Sequence, residues 1–183
     1  MQEASQIVEA IKTVVTDPSA AHMLPLFVAS FLNDLVGIFP FSLVIAGQLL
    51  FLDSQFTLAL SAKLLVFVAV PVGVGSALGS VPLYALAYFG GKPVINKYHR
   101  FLHFSWQDVE KVNRYFHGTW YDEIIFFILR SAPILPSIPM DIGAGILRMR
   151  FLPFFVLTVT GSIVRMMLTL VLVGMSVHGL SYL

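Results

Sequence analysis

The chain has no cysteine, and only 11% of its 183 residues carry a charge. The first absence excludes disulfides and thiolate metal sites. The second lies far from the roughly quarter-charged average of soluble domains. A hydrophobic content of 57% and a mean hydropathy of +0.85 point the same way. A net charge of +1 is too mild for nucleic-acid binding. The five histidines show no ligand spacing. His99 and His103 are four apart, but beside Lys97 and Arg100 they fit a lipid-facing basic face better than a metal site. There is no nucleophile–base constellation and no glycine loop for phosphate, so no enzyme, cofactor or metal is expected. The first twenty residues hold Glu3, Glu9 and Asp17 against one Lys12, without the compact apolar core of a cleavable signal peptide. What remains is an all-α integral membrane protein with a single membrane domain over residues 1–183.

Residues 2–16 place Ile7, Val8, Ile11, Val14 and Val15 at helical spacing, which predicts an amphipathic surface helix. Asp17-Pro18-Ser19 ends it, with Ser19 as N-cap of the next helix. In segment 22–52 the apolar stretch Met23 to Leu32 covers about 15 Å, half of a ~30 Å hydrocarbon core, so it dips in rather than crossing. Residues 56–90 are apolar apart from Lys63 and a few serines and predict a long transmembrane helix, with Pro71 and the glycines at 73, 75 and 79 offering a kink. Gly75, Ser76, Gly79 and Ser80 suit close helix packing. Gly90-Gly91 is expected to stop that helix. Residues 92–118 form a basic interfacial segment with a helix capped at Ser105 and Gly118. Segment 119–148 re-enters at Trp120 and Tyr121, and 151–180 is a full transmembrane helix with Arg165 near its middle.

The densest chemistry lies in 119–148. Pro133, Pro136 and Pro139 remove backbone donors and push their predecessors out of the α region, so no continuous helix passes. Irregular backbone at membrane depth is tolerated only when buried in protein or lining a water-filled cavity. With Arg130 before the break and Asp141 beyond it, this predicts a polar pocket. The earlier stretch Asn33-Asp34 through Gly37, Pro40 and Gly47 echoes it. With Asp34 laid on Arg130, Gly37 falls on Pro133, Pro40 on Pro136 and Gly47 on Gly143. Paired broken segments point to an inverted-repeat transporter and to its binding site.

At these motifs the chain resembles the DedA/VTT (SNARE-associated Golgi protein) superfamily over roughly residues 25–175. The resemblance is carried by Arg130-x-x-Pro133-x-x-Pro136, Gly143-x-Gly145, Phe151-Leu-Pro-Phe154, Gly161-x-x-x-Arg165 and Gly75-x-x-x-Gly79-x-x-x-x-Tyr84. It implies two oppositely inserted re-entrant helical hairpins and lipid translocation: polyprenyl-phosphate carriers in bacterial DedA proteins, phospholipid scrambling in VTT proteins. Where many DedA proteins have glutamate in the first hairpin this chain has Asn33 beside Asp34. The bacterial pattern's second arginine is Pro136 here, its aspartate is Ser80, and its Gly-Arg is Ala87-Tyr88. The chain is closer to the VTT branch.

The resulting expectation is a flippase- or scramblase-like transporter passing an anionic phospholipid or polyprenyl-phosphate headgroup through a midplane cleft. Arg130, with Arg165, binds the phosphate among Pro133, Pro136, Gly143, Gly145, Pro40 and Gly47; Asp34, with Asn33, balances charge or takes up a coupling proton. Asp141 is placed nearer the surface, either capping a half-helix or contributing to the site. Arg130 has a structural alternative, satisfying the carbonyls freed at the break, and Arg165 is expected to pair with Asp34 or Asp141 or to contact a headgroup. Arg130→Ala is expected to abolish translocation in a folded protein. The alternatives are an ion-coupled transporter of small solutes or drugs, and a non-transporting scaffold recruiting partners through 92–118. Lys/Arg counting puts 92–118 in the cytoplasm, with the plasma (inner) membrane of a prokaryote as the expected location; reading either broken segment as a full crossing flips the count.

Overall fold

A computed structural model describes residue 14 and residues 17–36, 57–102, 120–133 and 135–180. The described residues contain helices and no strands. We label the helices α1 (Ala20–Val36), α2 (Leu58–Leu64), α3 (Val70–Leu102), α4 (Trp120–Ser131), α5 (Ser137–Ile146) and α6 (Phe151–Leu180). The expected surface helix 2–16, apart from Val14, the first break with Pro40 and Gly47, and the capped helix before Gly118 lie outside the described residues.

Ser19 precedes α1, its hydroxyl 3.2 Å from His22 Nδ1. The helix then runs through Asn33-Asp34 to Val36, about 25 Å at ~1.5 Å per residue, longer than the apolar stretch alone suggested. The next long element begins at Thr57, whose hydroxyl accepts from Leu60 N, and α2 passes into α3 through a π-helical turn at Leu65–Ala69. That turn stands just before Pro71. A proline ring collides with the carbonyl four residues back, and a π turn there makes room, so the distortion sits upstream of the glycines rather than at them.

The helix does not stop at Gly90-Gly91. It continues through Pro93 to Leu102. Glycine weakens a helix interior by about 1 kcal/mol, but it terminates one only where the chain turns left-handed after it. The apolar runs Ala59–Gly90 and Phe151–Leu172 are each long enough to cross a membrane. Leu24, Leu86, Phe89, Ile128, Leu152 and Leu172 are exposed along the outside of the bundle.

Helix α3 is the central element, packed against α1, α5 and α6, with α4 lying on α6. Two apolar clusters form. One joins Leu26 of α1, Leu64, Val68, Ala69 and Val72, and Met166 and Leu170 of α6. The other joins Tyr84, Phe126 of α4, Ala144 of α5, Met149 and Phe154. Between them both α3 and α6 change character, at Ser76 and Ser80 and at Thr158 and Ser162, all buried. The charged ends of α1 and α4 and the start of α5 reach this polar layer.

Glycine decides how closely the helices approach. A Cβ on Gly75 or Gly79 would collide with the carbonyl oxygen of Phe27 or Phe31, so α1 and α3 touch backbone to backbone and run parallel. The packing role expected of these glycines holds. On the other side, a Cβ on Gly145 would meet Tyr84 O at 2.5 Å and Ala87 Cβ at 2.7 Å. One on Gly143 would meet nothing within 4 Å. Gly145→Ala is therefore expected to lower stability by about 1–3 kcal/mol, and Gly143→Ala to leave it unchanged or raise it by up to about 1 kcal/mol. Thermal unfolding of the two purified variants in detergent checks the contrast.

Candidate functional site

Three prolines set the site's frame. Helix α4 ends at Ser131, whose hydroxyl donates to Phe127 O at 2.8 Å, and Pro133, Leu135 and Pro136 lie outside any helix. Pro136 is the extended N-cap of α5, at φ −68° and ψ 140°. Pro139 falls in the first turn of α5, where a missing N–H costs nothing because it would have no intrahelical acceptor. The break thus aims the end of α4 and the start of α5 at the same layer.

Arg130 fills that layer, with no exposed surface. Its Nη1 donates to Asp141 Oδ1 at 2.9 Å, its Nη2 to Ser76 Oγ at 2.8 Å and Ser80 Oγ at 2.9 Å, and its Nε to Ser162 Oγ at 3.3 Å. Asp34 Oδ2 is 3.6 Å from Nη2. Asp34 is itself held by the hydroxyls of Ser76, in a short hydrogen bond, and of Ser137 at 2.7 Å. Ser76 and Ser162 lie 3.1 Å apart, closing the ring. Five elements converge on one guanidinium.

The expected contact between Asp34 and Arg130 is present, while Asn33 is half-buried beside it. Asp141 departs from expectation. It is fully buried and ion-paired rather than near the surface, because the break ends at Pro136 and puts position 141 only one turn into α5. Its Oδ2 has no hydrogen-bond partner among the described residues.

The two arginines also exchange roles. Arg165, not Arg130, satisfies the freed carbonyls: its Nη2 donates to Pro133 O at 3.4 Å and, in a short bond, to Leu135 O. Arg165 makes no ion pair with Asp34 or Asp141, although both, and Arg130, lie within its electrostatic reach. Arg130 and Arg165 against Asp34 and Asp141 sum to zero formal charge. Taking such charges out of water costs several kcal/mol per ion unless pairing is close and the remaining donors are satisfied. Here four hydroxyls serve Arg130 and Asp34, while Asp141 Oδ2 and Arg165 Nε are left without a hydrogen-bond partner among the described residues.

Pro133 takes part through its carbonyl and Pro136 through its cap geometry. Gly145 sets the approach of α5 to α3, and Gly143 touches no side chain that a Cβ would meet. Gly161 lies against Arg130, whose Cγ would be 2.9 Å from an added Cβ. Reasoning from the sequence missed Ser137 and Ser162 as ligands of the charges and counted Ser76 and Ser80 as packing residues. The available signal was the four-residue spacing of Ser76 and Ser80 on an otherwise apolar helix, together with Ser162 one turn before Arg165.

A profile of the VTT domain matches residues 41–175, about three quarters of the chain. The chain belongs to the DedA/VTT family of membrane proteins, a family tied to membrane transport. No curated protein and no solved structure gives a match. The matched residues include Ser76, Ser80, Arg130, Asp141, Ser162 and Arg165 and begin after Asp34.

Proposed function

We propose that this protein moves an anionic lipid headgroup across the membrane through the Arg130 layer, with the acyl chains remaining in lipid. The observation that carries this reading is an arginine without exposed surface, bound to two carboxylates and three serines, halfway along the apolar runs Ala59–Gly90 and Phe151–Leu172. Charges at such depth are expensive and mark transport pathways.

The helix ends support two oppositely inserted re-entrant hairpins. Phe126 of α4 and Ala144 of α5 share one apolar cluster while Arg130 and Ser137 reach the polar layer. Leu26 of α1 belongs to the opposite cluster, and the chain is back beside it at Leu60. In this arrangement the charged ends of the two halves, Asp34 and Arg130, meet at the midplane, as an inverted repeat requires.

Of the two arginines, Arg165 makes the first contact with phosphate. Arg130 has nearly all its donors engaged, whereas Arg165 is half-buried and its Nη2 is spent on neutral carbonyls. A bond from this guanidinium to phosphate, with both partners ionised, is stronger than one to a neutral carbonyl. Release of Pro133 and Leu135 loosens the break and opens the way to Arg130. A headgroup entering this neutral quartet adds negative charge, and a proton taken up on Asp34 offsets one unit of it, the whole charge of a phosphodiester headgroup and about half that of a polyprenyl monophosphate. Either a phospholipid or a polyprenyl phosphate satisfies this chemistry. By the excess of Lys and Arg, residues 92–118 face the cytoplasm, in the plasma membrane of a prokaryote.

The test is dithionite quenching of a fluorescent anionic phospholipid in proteoliposomes. Wild type is expected to expose inner-leaflet lipid, and Arg165→Gln and Asp34→Asn to slow this at least tenfold. Quenching confined to the outer leaflet in wild type overturns the reading for phospholipids. Proton-driven solute uptake without lipid movement would favour the ion-coupled transporter, which the enclosure of Arg130 also suits.

A further inference from the structure

The turn between α5 and α6 carries a second basic feature, two turns of helix from Asp141. Leu147 N donates to Gly143 O at 2.9 Å, Arg148 N to Gly145 O at 3.1 Å and Met149 N to Ala144 O at 3.0 Å. This is the helix ending in which the penultimate position turns left-handed, and glycine ordinarily occupies it. Here it is Arg148, at φ 51°. A side chain held at such a backbone angle is disfavoured, and strain of this kind persists where the side chain has work to do.

Its surroundings say what that work is. Arg148 and Arg150 are both exposed, on either side of buried Met149, whose carbonyl accepts a hydrogen bond of 2.5 Å from Tyr84 OH. The ring of Tyr84 stacks on Phe154 at 4.2 Å, so the turn is pinned to α3 and α6. Among the described residues neither arginine forms an ion pair. Directly after them come Phe151 and Leu152, 53% and 71% exposed, the first residues of the apolar run Phe151–Leu172. Exposed cations therefore give way to exposed hydrocarbon within one turn, the order met when crossing from headgroups to acyl chains.

We infer that Arg148 and Arg150 together bind the headgroup of an anionic phospholipid at the membrane surface, with Phe151 and Leu152 against its acyl chains. The site is distinct from the Arg130 layer and depends on the membrane setting, not on translocation. Arg148→Gly is an unusually clean probe, because it removes the guanidinium and relieves the backbone at once.

The experiment measures the thermal unfolding midpoint of the detergent-purified full chain with added phosphatidylglycerol or phosphatidylcholine, or with inorganic phosphate alone. Phosphatidylglycerol is expected to raise the wild-type midpoint and phosphatidylcholine and phosphate to leave it. Arg148→Gly with Arg150→Gln should unfold, without lipid, no earlier than wild type, yet need at least tenfold more phosphatidylglycerol for the same rise. Arg148→Lys should keep most of the response. An unchanged phosphatidylglycerol response in the double variant, an equal response to phosphatidylcholine, or an equal response to free phosphate overturns the inference.

Discussion

Replacing Arg130 by alanine is expected to remove about 3–5 kcal/mol of stability, the loss that follows when one partner of a buried ion pair is deleted. The variant would leave Asp34 and Asp141 facing each other across a site with no exposed surface at Arg130 or Asp141. Adding Asp34→Asn and Asp141→Asn should recover most of the loss, since amides can share hydrogen bonds with Ser76, Ser80 and Ser137 without a counter-ion. Thermal unfolding followed by size-exclusion chromatography reads both steps. A wild-type midpoint for Arg130→Ala would show that the three charges are not interdependent. The sequence led to the opposite expectation, a folded but inactive protein, because it did not reveal that two carboxylates share this one guanidinium. The triple variant replaces Arg130→Ala as the test of transport: folded yet inactive, it assigns the charges to translocation.

The second large effect concerns the crossing of α1 on α3. Gly75→Ala and Gly79→Ala each drive a methyl into a backbone carbonyl, of Phe27 and Phe31, and neither oxygen can swing aside as a side-chain tip would. Each is expected to cost about 1–3 kcal/mol, and because both act on one contact their effects should not add. The same displacement carries Asp34 away from Ser76 and Arg130, so transport should fall further than stability alone accounts for. Gly143→Ala, with open space around it, serves as the control. Equal unfolding midpoints for all three variants would mean that the crossing yields to the methyl groups.

Local sequence carried much of this arrangement. Three prolines in seven residues, at 133, 136 and 139, break the helix where single prolines at 25, 82 and 93 do not, and the break is where they put it. Arg130 and Asp34 were paired by the expense of a lone charge in an apolar run. What local sequence could not supply was depth and competition. Whether Asp141 lies at the surface or at the centre depends on how far the break carries α5 past α3, which Gly145 fixes from the far side. Which arginine clasps the broken backbone depends on the rotation of α6, and that set Ser162 toward Arg130 and Arg165 toward Pro133 and Leu135. Gly90-Gly91 misled for a simpler reason: a glycine pair permits a stop without enforcing one.

The parallel contact of α1 with α3 has a pitch. Gly75 and Gly79, like Ser76 and Ser80, are four residues apart, and so are Phe27 and Phe31, and Ser30 and Asp34. The two helices therefore mesh as a rack whose teeth recur every turn. A shift of α1 by a fraction of a turn sets carbonyls against Cα atoms without a recess to receive them. A full step of four residues, about 6 Å, would bring Phe27 over Gly79 but set the carbonyl of Phe31 against Leu83, whose Cβ leaves no recess. The two glycines thus hold α1 at one register on α3, and with it Asp34 beside the Arg130 guanidinium.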